Sequence, residues 1–137
     1  MSWQQYIDSS LVGSGHIDQA AIVSSAGDSV WASSANFNIK PDELKNIVSI
    51  LDAAANEKGD QSAVATAQAE GIHVAGSRYV VARIDGRSIY ARQGRTGICI
   101  AKTKQAIIVA HHGEAQVAGN ASSTTEALAD YLIKVGY

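Results

Sequence analysis

Between Gly71 and His111 the sequence alternates short runs of β-forming residues with turn residues, and that stretch limits the chain to folds built on an antiparallel sheet. Gly71 to Gly76 reads as a short strand between glycines. Tyr79 to Ile84 runs into Asp85-Gly86, a two-residue hairpin signal, and Ser88 to Arg92 returns. Such a turn predicts Ile84 opposite Arg87, Arg83 opposite Ser88 and Val81 opposite Tyr90. Ala82 and Ile89 then share the core face, while Tyr79, Arg83, Tyr90 and Arg92 share the other. Strands at Ile98 to Ala101 and Gln105 to His111, joined by Lys102-Thr103-Lys104, complete a meander.

A sheet of this kind needs cover, and the flanking sequence supplies helices. Residues 3 to 12 read as a helix with Ile7 and Leu11 facing the core, stopped at Gly13-Ser14-Gly15. Two strands follow, Ala20 to Ser24 and Ser29 to Ser33, joined at Ala26-Gly27-Asp28. Val30 and Trp31 must point to opposite faces there. Residues 40 to 55 form an internal helix, with Pro41 at its first position, acidic Asp42 and Glu43 at its positive end, and Leu44, Ile47, Val48 and Leu51 in helical register. Ala63 to Glu70 reads as a short helix or as an extension of the preceding loop. Ser123-Thr124-Thr125-Glu126 has the form of a capping box opening the last helix, whose apolar face is Leu128, Leu132 and Val135. The expectation is a single α+β domain over residues 1–137: a central antiparallel β-sheet with N- and C-terminal helices packed together on one face and smaller helices on the other.

Several classes of function are excluded or disfavoured. Glycine loops for phosphates, a G-x-S-x-G elbow and a spaced Cys/His set for zinc are all missing, so neither an enzyme nor a metal or cofactor is expected. The single cysteine, Cys99, lies in an apolar run and reads as core. His111 and His112, as neighbours at a strand end, point in opposite directions. No signal peptide and no membrane-spanning run is legible, which implies a cytoplasmic protein. Net charge is −2, but Arg78 to Lys104 holds seven basic residues against one acid, so an otherwise acidic chain carries a local positive field. That field suits an acidic protein partner and, on so mild an overall charge, not a nucleic acid.

Aromatic residues make up only 6% of the chain, yet Trp3, Tyr6, Tyr131 and Tyr137 crowd at the two termini, where chains fray. Terminal helices lying side by side would gather them into one outer strip, which Trp31 joins if it points to the same face.

The run Ser2-Trp3-Gln4-Gln5-Tyr6-Ile7-Asp8, with Ala26 to Ala32, Asp85 to Tyr90 and Ala127 to Tyr137, resembles the profilins, most of all the fungal branch. Ala53 to Glu70 is longer than fungal profilins usually have, and His112-Gly113 stands where many carry Tyr-Pro. The resemblance implies a monomeric, non-enzymatic cytoskeletal protein that binds monomeric actin, proline-rich segments of formin-type partners, and phosphoinositides. It carries the polyproline site onto Trp3, Tyr6, Trp31, Tyr131, Leu132 and Tyr137. It carries the actin surface onto Arg83, Arg87, Arg92, Lys102, Lys104, Val117, Gly119, Asn120 and Glu126. The alternative is a signalling or trafficking module of the same architecture, without actin binding, whose terminal aromatics merely staple its helices. Partly exposed Trp3 and Trp31 rings would favour the groove, and buried ones the staple.

Overall fold

The computed structural model describes residues 2–35 and 37–137. Among the described residues, seven antiparallel strands form one sheet: β1 (Gln19–Ser24), β2 (Val30–Ser33), β3 (Ile72–Val74), β4 (Ser77–Ile84), β5 (Ser88–Gln93), β6 (Thr96–Lys102) and β7 (Ala106–His112). Their spatial order is β2-β1-β7-β6-β5-β4-β3, so the first hairpin joins the far side of the meander through β1 and β7. Helical segment 3–14 (α1) and α4 (Ala118–Lys134) cover one face; α2 (Pro41–Ala55) and α3 (Ser62–Glu70) cover the other.

Side-chain alternation explains why the central strands are apolar throughout. In β1, Ala20 and Ile22 face the terminal helices while Ala21 and Val23 face α2; in β7, Ala106, Ile108 and Ala110 take the first side, and Ile107 and Val109 the second. The terminal-helix side is thus lined largely by alanine, including Ala32 and Ala101, which lets α1 and α4 lie close to the sheet. Ile7, Leu11, Leu128, Ala129 and Leu132 fill that interface from the helices. Each buried Ile or Leu contributes about 1.5–3 kcal/mol.

The internal helix starts at Pro41 as expected, and its Leu44, Ile47 and Leu51 are buried. Glu43, also buried, accepts hydrogen bonds from the N–H groups of Lys40 (2.8 Å), Ala75 (3.0 Å) and Gly76 (3.0 Å), so it caps α2 and clamps the β3–β4 turn at once. The alanine-rich segment is helical over Ser62–Glu70.

Five expectations need correction. The β4–β5 loop is longer than two residues: Ile84 pairs with Ile89 and Arg83 with Tyr90. Asp85 accepts from the Ser88 N–H (3.2 Å), which closes the loop and lets both isoleucines reach the core. Ala82 is the extra residue of a bulge and is exposed rather than core-facing. Tyr79 is 3% exposed within the α2-side core, not on the face of Arg83 and Tyr90. The last helix begins at Ala118, so Ser123 to Glu126 lies inside it and is no cap; at its other end Val135 is 46% exposed.

Candidate functional site

The aromatic strip is assembled by three local devices. Ser2 caps α1 in a reciprocal box: its Oγ accepts from the Gln5 N–H (3.2 Å) and its own N–H donates to Gln5 Oε1 (2.8 Å), which stiffens the turn carrying Trp3. The turns from Tyr6 to Leu11 then widen to i→i−5 hydrogen bonding, and Ile7 and Leu11 remain buried while Trp3 and Tyr6 stay half-exposed. In β2, Val30 pairs with Val23 and Ala32 with Ile22, leaving Trp31 as the extra residue of a bulge. A bulge re-aims a side chain, and Trp31 packs on the terminal-helix side.

The third device closes α4. Gly136, at φ 99°, donates to the Ile133 carbonyl (3.2 Å), and the Tyr137 N–H donates to that of Leu132 (2.8 Å), a paired helix-ending turn that favours glycine. Thr103 Oγ1 donates to the Tyr137 backbone oxygen (2.8 Å) and Gln105 Nε2 to the Gly136 carbonyl (3.0 Å). The terminal residue is therefore tied to the β6–β7 turn.

These devices bring the rings together. Trp3 is central, with ring centroids 4.7 Å from Trp31, 5.0 Å from Tyr137 at 85°, and 5.6 Å from Tyr6; Tyr6 in turn lies 6.2 Å from Tyr131. Trp3 and Trp31 are half-buried, and Tyr131 (48%) and Tyr137 (43%) are exposed. Desolvation and the neighbouring Tyr131 hydroxyl push the Tyr6 phenol above its ordinary range, so it stays a protonated donor. Leu132 is corrected: it has no exposed surface and lies in the core beneath the rings, so it supports the strip without being able to touch a ligand.

The nine residues assigned to the second surface do not form one patch. Arg83, Tyr90, Arg92, Ala118 and Gly119 border a depression of about 320 Å³ between β4–β6 and the start of α4, floored by Ala91, Ile98, Cys99 and His112. Arg83 is exposed, lies 5.6 Å over the Tyr90 ring and pairs with Asp85 at 3.2 Å. Val117 and Asn120 are exposed at the same end of α4. The Ala82 bulge opens beside them.

Arg87 and Glu126 face each other and are only partly exposed. Arg87 Nη2 lies 2.6 Å from Glu126 Oε2 and 2.9 Å from Asp130 Oδ1. Glu126 Oε1 also accepts from Ser88 Oγ (2.5 Å) and the Tyr90 hydroxyl (3.1 Å). Burial raises the Glu126 carboxyl, but the Ser88 and Arg87 hydrogen bonds outweigh it and hold the group below its usual range. The pair is a clasp between β5 and α4. Lys102 pairs with Asp52 of α2 (3.2 Å) and so belongs to the opposite face. Lys104 is exposed on the β6–β7 turn, whose neighbours Thr103 and Gln105 hold the C-terminal residues, so it sits at the aromatic end.

The two bulges, at Trp31 and Ala82, were missed by sequence reasoning, since nothing in Val30-Trp31-Ala32 or Val81-Ala82-Arg83 signals an extra residue. His112 and Tyr90 were likewise not assigned to the second surface. Among the described residues no group of three or more His, Cys, Asp or Glu side chains could hold a metal ion. No described helix is long and apolar enough to cross a membrane.

A curled sheet clothed on both faces, carrying a surface-exposed aromatic strip at one end of α4 and a basic-rimmed depression at the other, defines a two-surface binding module. Comparison with known proteins names its family. The profilin family matches over residues 1–137. The chain is 48% identical to the profilin of Schizosaccharomyces pombe and 42% identical to that of Saccharomyces cerevisiae, each over the full length of both chains. A crystal structure of Schizosaccharomyces pombe profilin superposes with a TM-score of 0.89, covering 99% of this chain and all of the other. Mouse profilin IIa, solved in complex with a double repeat from the FH1 domain of mDia1, shares the fold at a TM-score of 0.71 and 22% identity over the full length of both chains. The chain belongs to the profilin family, whose role is actin binding and the regulation of filament assembly.

Proposed function

We propose that this profilin works as an adaptor, holding an actin monomer on the surface around Arg83, Arg92, Val117, Gly119 and Asn120 and a proline-rich segment on Trp3, Tyr6, Trp31, Tyr131 and Tyr137. The observation that carries the reading is the set of five aromatic side chains linked by ring contacts at the surface, half-buried or exposed, with Trp3, Tyr6 and Trp31 packed against the fully buried core. A polyproline II helix presents apolar ring faces every third residue and has no internal hydrogen bonds, so its carbonyls are free. Tilted indole and phenol rings match the first property, and their N–H and O–H groups the second. Formin-type proteins are the proposed source of such segments, as the mouse relative's FH1 ligand illustrates.

The basic rim suits an acidic partner surface, and phosphoinositide head groups share that chemistry. The single domain over 1–137 acts by binding alone, as a monomer in the cytoplasm. Titration with a proline-rich peptide, read by tryptophan fluorescence, tests the strip. Wild type should give a saturable shift and Trp3→Ala none, with cooperative unfolding retained; a flat wild-type signal up to millimolar peptide refutes the assignment. Arg83→Glu should weaken actin-monomer binding at least about tenfold, as reversed interface charges commonly do.

A further inference from the structure

We propose that His112 is a positioning residue for the start of α4 and performs that role only as neutral imidazole, which makes the monomer-binding surface sensitive to acidification. The inference rests on the actin surface assigned above. His112 ends β7, is 5% exposed, and floors the depression beneath Ala118 and Gly119. Its ring lies against Gly97 of β6, where even a methyl group would come within 2.4 Å of Nε2. Glycine there is what lets the ring fill this corner. The chain then turns through Gly113, whose N–H donates to Gln116 Oε1 (2.7 Å), and enters α4 after Val117. The ring therefore lies between Gly97 of β6 and the first turn of α4, which carries Gly119 and Asn120 and follows Val117.

Its Nδ1 is buried with no hydrogen-bond partner, the one side-chain atom so placed among the described residues. A neutral ring can leave an acceptor lone pair there. An imidazolium would bury an unpaired N–H, which is far costlier. The backbone at Gly113 favours the charged ring, but burial outweighs it. Arg83 on β4 and Arg92 on β5 border the same depression, His111 precedes it on its own strand, and the positive end of α4 lies above. Tyr90 and Cys99, both pushed up to about 12, first of all by burial, are uncharged. Asp18, just before β1, is the favourable charge, and it is paired with His111 Nδ1 at 2.5 Å. Burial accordingly holds His112 below its ordinary range.

The sign follows from linkage. A state in which this corner opens and hydrates the ring binds a proton near pH 6.5, whereas the closed state resists it. The closed form is therefore fully favoured above that pH and loses ground as pH falls through it, by at most about tenfold per unit for one proton.

The test is actin-monomer affinity at pH 7.5 and pH 5.5 for wild type, His112→Phe, His112→Gln and His111→Asn, with proline-rich peptide affinity measured alongside. Titration of actin itself cancels between variants. Wild type and His111→Asn should lose up to about tenfold relative to the two His112 variants, whatever the latter's affinity at pH 7.5, and peptide binding at the other end of α4 should be level. An equal loss in both His112 variants, or no loss in wild type, or its disappearance in His111→Asn, overturns the role of His112. Arg83→Glu binding like wild type at pH 7.5 instead moves the actin surface, and this inference falls with it.

Discussion

Removing Glu126 should cost more stability than any other carboxylate on the surface, because its two oxygens serve three residues of β5 and the preceding loop. Glu126→Ala strands Ser88 Oγ, in a residue 1% exposed, and the Tyr90 hydroxyl, and leaves Arg87 with Asp130 alone. Hydrogen bonds to a charged group contribute about 1.5–3 kcal/mol each. The Arg87 contact must be discounted, since the two side chains are 33% and 25% exposed and water screens them. Arg87 also keeps a partner, and the losses are not additive, so a net cost of about 3 kcal/mol is expected. For a chain of 137 residues, an unfolding entropy of about 2.1 cal/mol/K per residue converts this to a fall of roughly 10 °C in Tm. The assay is thermal unfolding by circular dichroism at pH 7. Glu126→Gln, which keeps the shape and part of the hydrogen bonding, should lose about half as much, and Arg87→Glu combined with Glu126→Arg should recover part of the loss. A change below about 1 kcal/mol in Glu126→Ala would show that Ser88 and Tyr90 find water as readily as carboxylate, and would return Glu126 to the role of a free interface charge.

Acid titration of wild type should show two losses of stability, one as pH falls below about 6.5 from His112, and one below about 4.5 as the depressed Glu126 carboxyl is protonated; urea midpoints across pH measure both. Tyr131→Ala should weaken peptide binding with a stability change under about 1 kcal/mol, while Leu132→Ala, which hollows the core under the rings, should cost about 2–5 kcal/mol by chemical denaturation. Lys102→Glu should leave actin affinity within about twofold, because its partner is Asp52 on the α2 face; a tenfold loss in a sedimentation assay would return it to the interface.

What could be read from the sequence was whatever depends on local pattern. The strands, the Pro41 helix start, the buried Ile7 and Leu11, and the gathering of the terminal aromatics all follow from periodicity or residue type. What could not be read depends on which distant residue answers a local signal. Asp85-Gly86 signals a two-residue turn, but only a longer loop delivers both Ile84 and Ile89 to the core. Ser123 to Glu126 has capping spacing, yet Glu126 finds its donors on β5, and α4 starts five residues earlier among small residues that carry no cap. The charge count from Arg78 to Lys104 was correct and the single patch inferred from it was not. Adjacent elements turn Lys102 to one face, Lys104 to the aromatic end and Arg87 inward, leaving Arg83 and Arg92 as the basic rim.

An adaptor needs its two surfaces far enough apart to be filled together, and α4 sets that distance. Gly119 lies at its first turn and Tyr137 beyond its last, so the helix, about 25 Å long, separates the depression from the rings. Between them Ala121, Thr125, Leu128, Ala129 and Leu132 are all buried against the sheet. Anchored along this length, the helix would have to shift as a whole to carry occupancy from end to end, and a coupling between sites needs an element with two arrangements that both ligands bias. The ligands should therefore bind nearly independently at neutral pH. Actin-monomer affinity measured with and without saturating proline-rich peptide should agree within about twofold. A partner carrying several proline-rich segments would then raise the local concentration of actin simply by tethering it. Mutual exclusion would refute the adaptor mechanism even if each ligand bound well alone, since the one helix shared by both sites would then have to transmit occupancy from end to end.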